Sequence, residues 1–212
     1  AGGTALVGVA RSSGPAAAAG AQPAAGAPRP RAAPGSSAAM AANWQLDSSA
    51  SSLHFVSVKN DVVAEIHQFS ELNGQWDGTT ASISIPVSSM QTNIPIRNER
   101  IWQYVLQADK FAAIDVSVQI SENVLKDMPI AGAKLLDLPI NLTIAGQTAT
   151  VMAKVQLVKL SDTLLQANTT APLMLNTSSF NLTAGVAKLQ ELAGLKRIEP
   201  LVPVSFSVRF SR

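Results

Sequence analysis

The sequence predicts an all-β fold of about eight antiparallel strands joined as a meander, with two short helices. Three observations carry that expectation. Apolar residues recur at every second position through most of residues 43–212. Tight-turn signals separate the alternating runs. Only two stretches switch to helical spacing.

The alternation is plainest mid-chain, where Leu136, Leu138, Ile140, Leu142 and Ile144 share one face. Val151, Ala153, Val155 and Leu157 repeat the pattern on the next strand. Ala145-Gly146-Gln147-Thr148 lies between them, a two-residue hairpin turn with Gly at its first central position. That turn pairs Leu142 with Val151, Ile140 with Ala153, and Leu138 with Val155. Both apolar rows then lie on one face of one ribbon.

The other elements follow in chain order. Leu53 to Lys59 reads as a strand, Asn60-Asp61 as its turn, and Val62 to Gln75 as the return. Asp77-Gly78 is a hairpin signal that pairs Trp76 with Thr79 and Leu72 with Ile83. Ala81, Ile83 and Ile85 face inward there, Ser82 and Ser84 outward. Pro86 ends the strand. Around Pro95 the period changes: Ile101, Trp102, Val105 and Leu106 form a stripe, predicting a helix over about 97–107. Ile114, Val116, Val118 and Ile120 resume the strand period. After the central ribbon, Leu165, Ala167, Thr169, Ala171, Leu173 and Leu175 make a seventh strand. Val186, Leu189 and Leu192 predict a second helix over about 185–193, stopped by Gly194 with Leu195 as its hydrophobic contact. Val202, Val204, Phe206, Val208 and Phe210 form the last strand.

One-sided ribbons of this kind hide their apolar face by closing into a barrel or stacking as a sandwich. An eight-stranded barrel has room for its own side chains or for one small ligand. The inward rows include Gly74, Ala81, Ala153, Ala167 and Ala171, which leave volume unfilled. Two readings stand on pattern alone: the helices plug that space, or a ligand fills it.

Composition narrows the function classes. Only 14 % of residues are charged, against about a quarter in ordinary globular chains. The net charge is +2, but residues 1–42 carry Arg11, Arg29 and Arg31 and no acid, so the remainder stands at −1. A near-neutral domain gives no electrostatic footprint for nucleic acid. No cysteine is present, which excludes disulfides, thiolate metal sites and cysteine nucleophiles. No run of 18 apolar residues predicts a membrane-spanning helix.

Residues 1–42 contain 17 Ala, 7 Gly and 5 Pro, a composition that cannot bury a core and predicts disorder. Ala5 to Ala10 is a short apolar patch, and Ala39-Met40-Ala41 fits the small-x-small pattern of signal peptide cleavage. The Pro-rich, Arg-containing stretch between them departs from an ordinary signal peptide. The segment is read as a remnant of an export signal ahead of a domain at 43–212.

Several segments resemble one family. Ser51-Ser52-Leu53-His54-Phe55-Val56-Ser57-Val58-Lys59-Asn60, Ala64-Glu65-Ile66-His67-Gln68-Phe69 and Leu72-Asn73-Gly74 are similar to the opening of YceI-like domains. Thr92-Asn93-Ile94-Pro95-Ile96-Arg97-Asn98-Glu99-Arg100 resembles the link to the first helix. Phe180-Asn181-Leu182, Leu189-Gln190-Glu191-Leu192-Ala193-Gly194-Leu195 and Val202-Pro203-Val204-Ser205-Phe206 match the end. The ordered set spans nearly all of 44–212. The resemblance implies a lipocalin-like, eight-stranded up-and-down barrel, exported to the periplasm or secreted. It also implies a long-chain isoprenoid lipid, such as a polyisoprenoid or quinone tail, held in an apolar tunnel. Many members carry Asp and His in the Arg-rich segment, where this chain has Asn98 and Arg100.

On this reading the lipid-lining residues are Phe55, Phe69, Leu72, Trp76, Ile83, Ile85, Trp102, Leu106, Phe111, Val116, Leu142, Ile144, Val151, Val155, Leu173 and Phe206. Arg97 and Arg100 sit at the rim, as a gate toward a head group or as a salt-bridge network with Glu99. No cofactor is required; the bound species is an isoprenoid lipid or quinone. The sequence leaves a homodimer open.

Chemistry beyond binding has few candidates. If the first turn centres on Asn60-Asp61, His54 faces His67 and Glu65 shares their face, a trio that could hold Zn²⁺. The plainer reading is a polar outer face. The acids are scattered singly, with no paired carboxylates. No Gly-x-Ser-x-Gly elbow or Gly-rich phosphate loop occurs. The chain is therefore read as non-enzymatic, with a self-filled interaction module and a weak metal-dependent activity at His54, His67 and Glu65 as alternatives. The Asn-x-Ser/Thr sequons at Asn141, Asn168, Asn176 and Asn181 are expected by chance in so Ser/Thr/Asn-rich a chain.

Overall fold

The structure is a computed structural model that describes residues 43–212. The expected disorder and export signal of residues 1–42 lie outside the described residues. The strands are β1 (Trp44–Leu46), β2 (Ser52–Lys59), β3 (Val63–Phe69), β4 (Asn73–Trp76), β5 (Thr80–Pro86), β6 (Met90–Gln91), β7 (Ala113–Gln119), β8 (Ala133–Ile144), β9 (Gln147–Ser161), β10 (Leu164–Thr169), β11 (Leu173–Asn176) and β12 (Leu201–Ser211). Two helices, α1 (Pro95–Arg100) and α2 (Thr183–Ala193), complete the domain.

Twelve strands build eight walls, because several walls bend. β1 and β2 are one wall broken by a 3₁₀ turn at Ser48–Ala50, where the Asp47 carboxylate accepts from the Ser49 N–H at 3.0 Å. β3 with β4, β5 with β6, and β10 with β11 are likewise interrupted walls, since both members of each pair bond to the same neighbouring wall. Each wall pairs antiparallel with the next in sequence. β12 then bonds back to β1 and β2. Closure leaves no free sheet edge in this ring, which is how an up-and-down barrel avoids edge-to-edge association. Of the barrel and the sandwich, the chain adopts the barrel.

The central ribbon forms with a different register from that expected. Leu142 pairs with Ala149, Ile140 with Val151 and Leu138 with Ala153. The turn centres on Ala145 and Gly146, both at positive φ (47° and 78°), as a type I′ turn requires. Phe111 closes over it: a Cβ on Gly146 would stand 2.9 Å from the Phe111 ring. The second hairpin also slides by two, with Trp76 opposite Ala81 and Gly74 opposite Ile83. Gly78 and Thr79 form its tip, and the Asp77 carboxylate accepts from the N–H groups of Thr79 and Thr80 at 2.8 Å. Both slips are even, so every side chain keeps its expected face.

The first hairpin slips by one, which has the opposite effect. Asn60, Asp61 and Val62 form a three-residue loop, with Asn60 and Asp61 at positive φ, and Lys59 pairs with Val63. His67 therefore lies opposite Phe55, and His54 opposite Gln68.

Helical structure at 95–105 starts two residues before its expected position. Pro95 occupies the first turn, and the helix continues as a π turn over Ile101–Val105, in which the Leu106 N–H donates to the Ile101 carbonyl at 2.9 Å. α2 ends as expected. Gly194 takes a left-handed φ of 64°, and the Leu195 N–H donates to the Gln190 carbonyl at 3.0 Å, closing a Schellman-type cap. No helix among the described residues is long and apolar enough to cross a membrane.

Candidate functional site

The barrel interior is lined by the apolar rows of all eight walls and encloses a cavity of about 290 Å³, near the lower edge of the ~300–1,000 Å³ usual for small-molecule sites. Its lining residues are apolar except for Ser57 and Thr177, and the surface they present to the space is hydrocarbon throughout. On β12 the lining residues run from Val202 to Phe210, on the order of 26 Å along the strand at ~3.3 Å per residue. The space is long and narrow, the shape of a flexible hydrocarbon.

The structure brings Phe55, Phe69, Leu72, Trp76, Ile83, Ile85, Leu106, Val116, Leu142, Ile144, Val155, Leu173 and Phe206 to this wall. It does not bring Trp102, Phe111 or Val151 to it. Trp102 packs half-buried on the π turn, Phe111 is spent on the β8–β9 turn, and Val151 packs at the edge of the core. Met90, Phe180 and Leu182 join the lining without having been expected. Met90 lies on the two-residue β6, and Phe180 and Leu182 lead into α2, segments too short to show a strand period.

One end of the lumen is closed by Trp44 stacked on Trp76, with centroids 6.2 Å apart. The Trp76 indole N–H donates to the Ile120 carbonyl at 2.8 Å. Outside this pair, the Arg212 guanidinium lies 4.4 Å from the Trp44 ring centre and pairs with Glu122 at 2.7 Å. β1, which supplies Trp44, is too short to register as periodic alternation.

The other end carries α1, α2 and a polar cluster. Glu65 accepts from Arg97 at 2.7 Å and from Lys59 at 3.2 Å. The Arg97 guanidinium also donates to the Thr92 carbonyl. The Asn98 side-chain carbonyl accepts from the Thr92 N–H at 3.0 Å and from its hydroxyl, while the Asn98 amide reaches Gln91 at 3.4 Å. These bonds fix the start of α1 against β3 and β6. Burial pushes the Glu65 carboxyl up, but the hydrogen bonds and charges of Arg97 and Lys59 outweigh it and hold it below its ordinary value.

Two rim expectations are corrected here. The partner of Arg97 is Glu65, not Glu99, because β3 presents Glu65 beneath the helix start. Arg100 does not face the lumen as a head-group ligand; it donates to the Leu192 carbonyl of α2 at 3.3 Å. The metal trio also fails. His54 is exposed on the outer face, whereas Glu65 and His67 share the inner row with Phe69. The three side chains do not converge, and no cluster of three metal-ligating side chains occurs among the described residues.

His67 is 4 % exposed and its Nε2 shares a 2.7 Å hydrogen bond with the Ser57 hydroxyl. Its ring packs on Phe55, with centroids 5.1 Å apart. Burial, with the nearby Arg97 charge, holds its pKa below the ordinary 6.5. Among the described residues, the Nδ1 atom has no hydrogen-bond partner. A serine beside a histidine suggests a nucleophile and base, but no carboxylate among the described residues orients this imidazole. Glu65 is already engaged by Arg97 and Lys59, so the third member of a triad is missing.

A search of curated proteins returned no match to the chain. Solved structures do match. A polyisoprenoid binding domain from Saccharophagus degradans, implicated in plant cell wall breakdown, is similar at 28% sequence identity with a TM-score of 0.76, over 79% of this chain and 97% of that one. Burkholderia cenocepacia BcnA is similar in fold at 16% identity and a TM-score of 0.58, over 77% of this chain and 98% of that one. The family model of the YceI-like domain matches residues 44–210. With the barrel and its order of walls as described, the chain belongs to the YceI-like domain family.

Proposed function

We propose that this protein is a non-catalytic carrier that encloses the tail of an isoprenoid-type lipid within its barrel, in the periplasm or outside the cell. The observation that carries the reading is the long apolar cavity running along the barrel wall. An apolar chain entering it gains about 25 cal/mol for each Å² removed from water. The surface of the cavity is hydrocarbon throughout, so tail cross-section and length set selectivity. The likeness to a domain that binds polyisoprenoid supports the same ligand class. The Ser57–His67 pair lacks an orienting carboxylate, which favours binding over catalysis.

Organic extraction of the natively purified protein, followed by mass analysis, tests the reading. The expected result is a hydrophobic species at about one per chain. A bare chain that also fails to take up added isoprenoid would sink it, and would favour a barrel acting only through its outer surface.

A further inference from the structure

A closed ring leaves only its outer faces for association, and one of them departs from the polar outside of a water-facing sheet. Val56 of β2 pairs with Ile66 of β3, and the pairing of Val204 with Phe55 sets Pro203 of β12 beside Val56. Met174 of β11 pairs with Pro203. The Thr170 N–H donates to the Lys154 carbonyl, and the same register continued brings Met152 of β9 alongside β11. These five side chains make one apolar row across the outside of five strands. Leu201, Val58 and Ala64 make a second row, one pleat nearer the β2–β3 loop.

The patch is open to water: Ile66 is 68 % exposed, Met152 60 % and Met174 50 %. It ends sharply. The adjoining row is Ser205, His54 and Gln68. Across the barrel, the outer row reads Gln75, Ser82, Ser117 and Asn141. Strands ~4.8 Å apart, rising ~3.3 Å per residue, give the two rows an outline on the order of 300 Å². A patch of that size is often functional. A polar rim one residue deep brings the surface to roughly 800 Å², the area each partner contributes to a stable interface.

We propose that this face docks a second copy of the chain, the two barrels meeting row against row about a two-fold axis. A two-fold interface sets a surface against itself. Neither row carries an ionisable side chain, so self-pairing puts no like charges across the contact. Charges on the adjoining strands and loops are already paired, Arg197 with Asp61 and Glu199, and Lys154 with Asp137. A membrane surface is the poorer match, because interfacial anchors use Trp, Tyr and free Lys or Arg, whereas these rows are aliphatic. Aliphatic sheet faces pack on one another at about 10 Å, and the unbranched Met152 and Met174 adapt to a curved partner. The pairing is independent of what the lumen holds.

Sedimentation velocity of the full chain, over a dilution series spanning micromolar concentrations, tests the pairing. The wild type is expected to approach twice the chain mass as concentration rises. Ile66→Glu and Met174→Glu place a charge on the patch from two different strands. Each is expected to weaken self-association by more than about thirtyfold. Gln75→Glu adds the same charge to the far side of the barrel and is expected to change nothing. All three positions are exposed, and far-UV circular dichroism checks that each variant keeps the fold.

A wild type that stays monomeric throughout overturns the pairing, as does a dimer that survives both patch variants or is lost equally with Gln75→Glu. Flotation with phosphatidylcholine vesicles covers the competing occupant. A monomeric wild type that floats, and an Ile66→Glu variant that does not, would assign the face to a lipid surface and overturn self-docking. None of these outcomes bears on lipid extraction from the lumen, so the carrier reading stands or falls separately.

Discussion

His67 is a buried group whose protonation the fold resists, so it couples stability to pH. Its pKa in the folded state lies below the ordinary 6.5, through burial first and then the Arg97 charge. The groups around it are Ser57, Glu65, Arg97 and Lys59. Below about pH 6.5 the unfolded chain takes up a proton at this position that the folded chain does not, so stability falls as pH falls. Above that pH the contribution is fully present. Glu65 acts in the same sense but lower, since its depressed value costs stability only as pH drops below about 4.5. Urea unfolding between pH 7.5 and 5 is expected to show wild-type stability declining. His67→Gln, which keeps a side-chain partner for Ser57 but does not titrate, is expected to flatten that decline. Equal slopes for the two proteins would contradict the assignment.

At the scale of elements, two contacts decide how the pieces meet. α2 crosses the π turn at Gly185, where a Cβ would collide with the Tyr104 carbonyl and stand 3.0 Å from the Val105 Cα. Gly185→Ala gains about 1 kcal/mol of helix propensity. Backbone cannot yield as a side-chain tip does, so overpacking of about 1–3 kcal/mol outweighs it. Thermal unfolding is expected to show net destabilisation. The β8–β9 turn offers the opposite case. Ala145 sits at φ 47°, a conformation Asn tolerates better. Ala145→Asn is expected to stabilise by about 0.5–1 kcal/mol, read from the denaturant midpoint. This turn also shows what the sequence could and could not display. Alternation specified faces well, because a face survives any even slip in register. It did not specify partners, because Gly146 suits the first central position of one turn type and the second of another. The first hairpin was decidable from parity. Phe55 and Phe69 both had to face inward, His67 shares the parity of Phe69, and His54 opposes that of Phe55. Only an odd loop satisfies all of these, and it separates the histidines. The same parity puts Ser57 on the inner row with Leu53 and Phe55. Trp44 and Met90 had no such signal, since strands of two or three residues carry no period.

For the whole molecule, the question is whether the lumen is a defect the fold tolerates or a feature its function uses. Native cores rarely keep such space, because lost contacts cost stability. Ala167 lies on the cavity wall, on β10 opposite Leu157 of β9 and Val208 of β12. A larger apolar residue there fills lumen without introducing a polar group or touching the Ser57 end. Ala167→Phe is expected to fold and to match or exceed the thermal stability of the lipid-free wild type. It is also expected to lose isoprenoid binding by more than tenfold. Lipid adds stability by mass action, about 2.7 kcal/mol at a hundredfold excess over Kd, so the wild type should gain in melting temperature when squalene is added and the variant should not. A variant that binds as tightly as the wild type would mean that the tail lies elsewhere. A variant that melts well below the lipid-free wild type would mean that the lumen is already packed to its limit. The two proteins, each measured with and without lipid, distinguish a filled core from a working cavity.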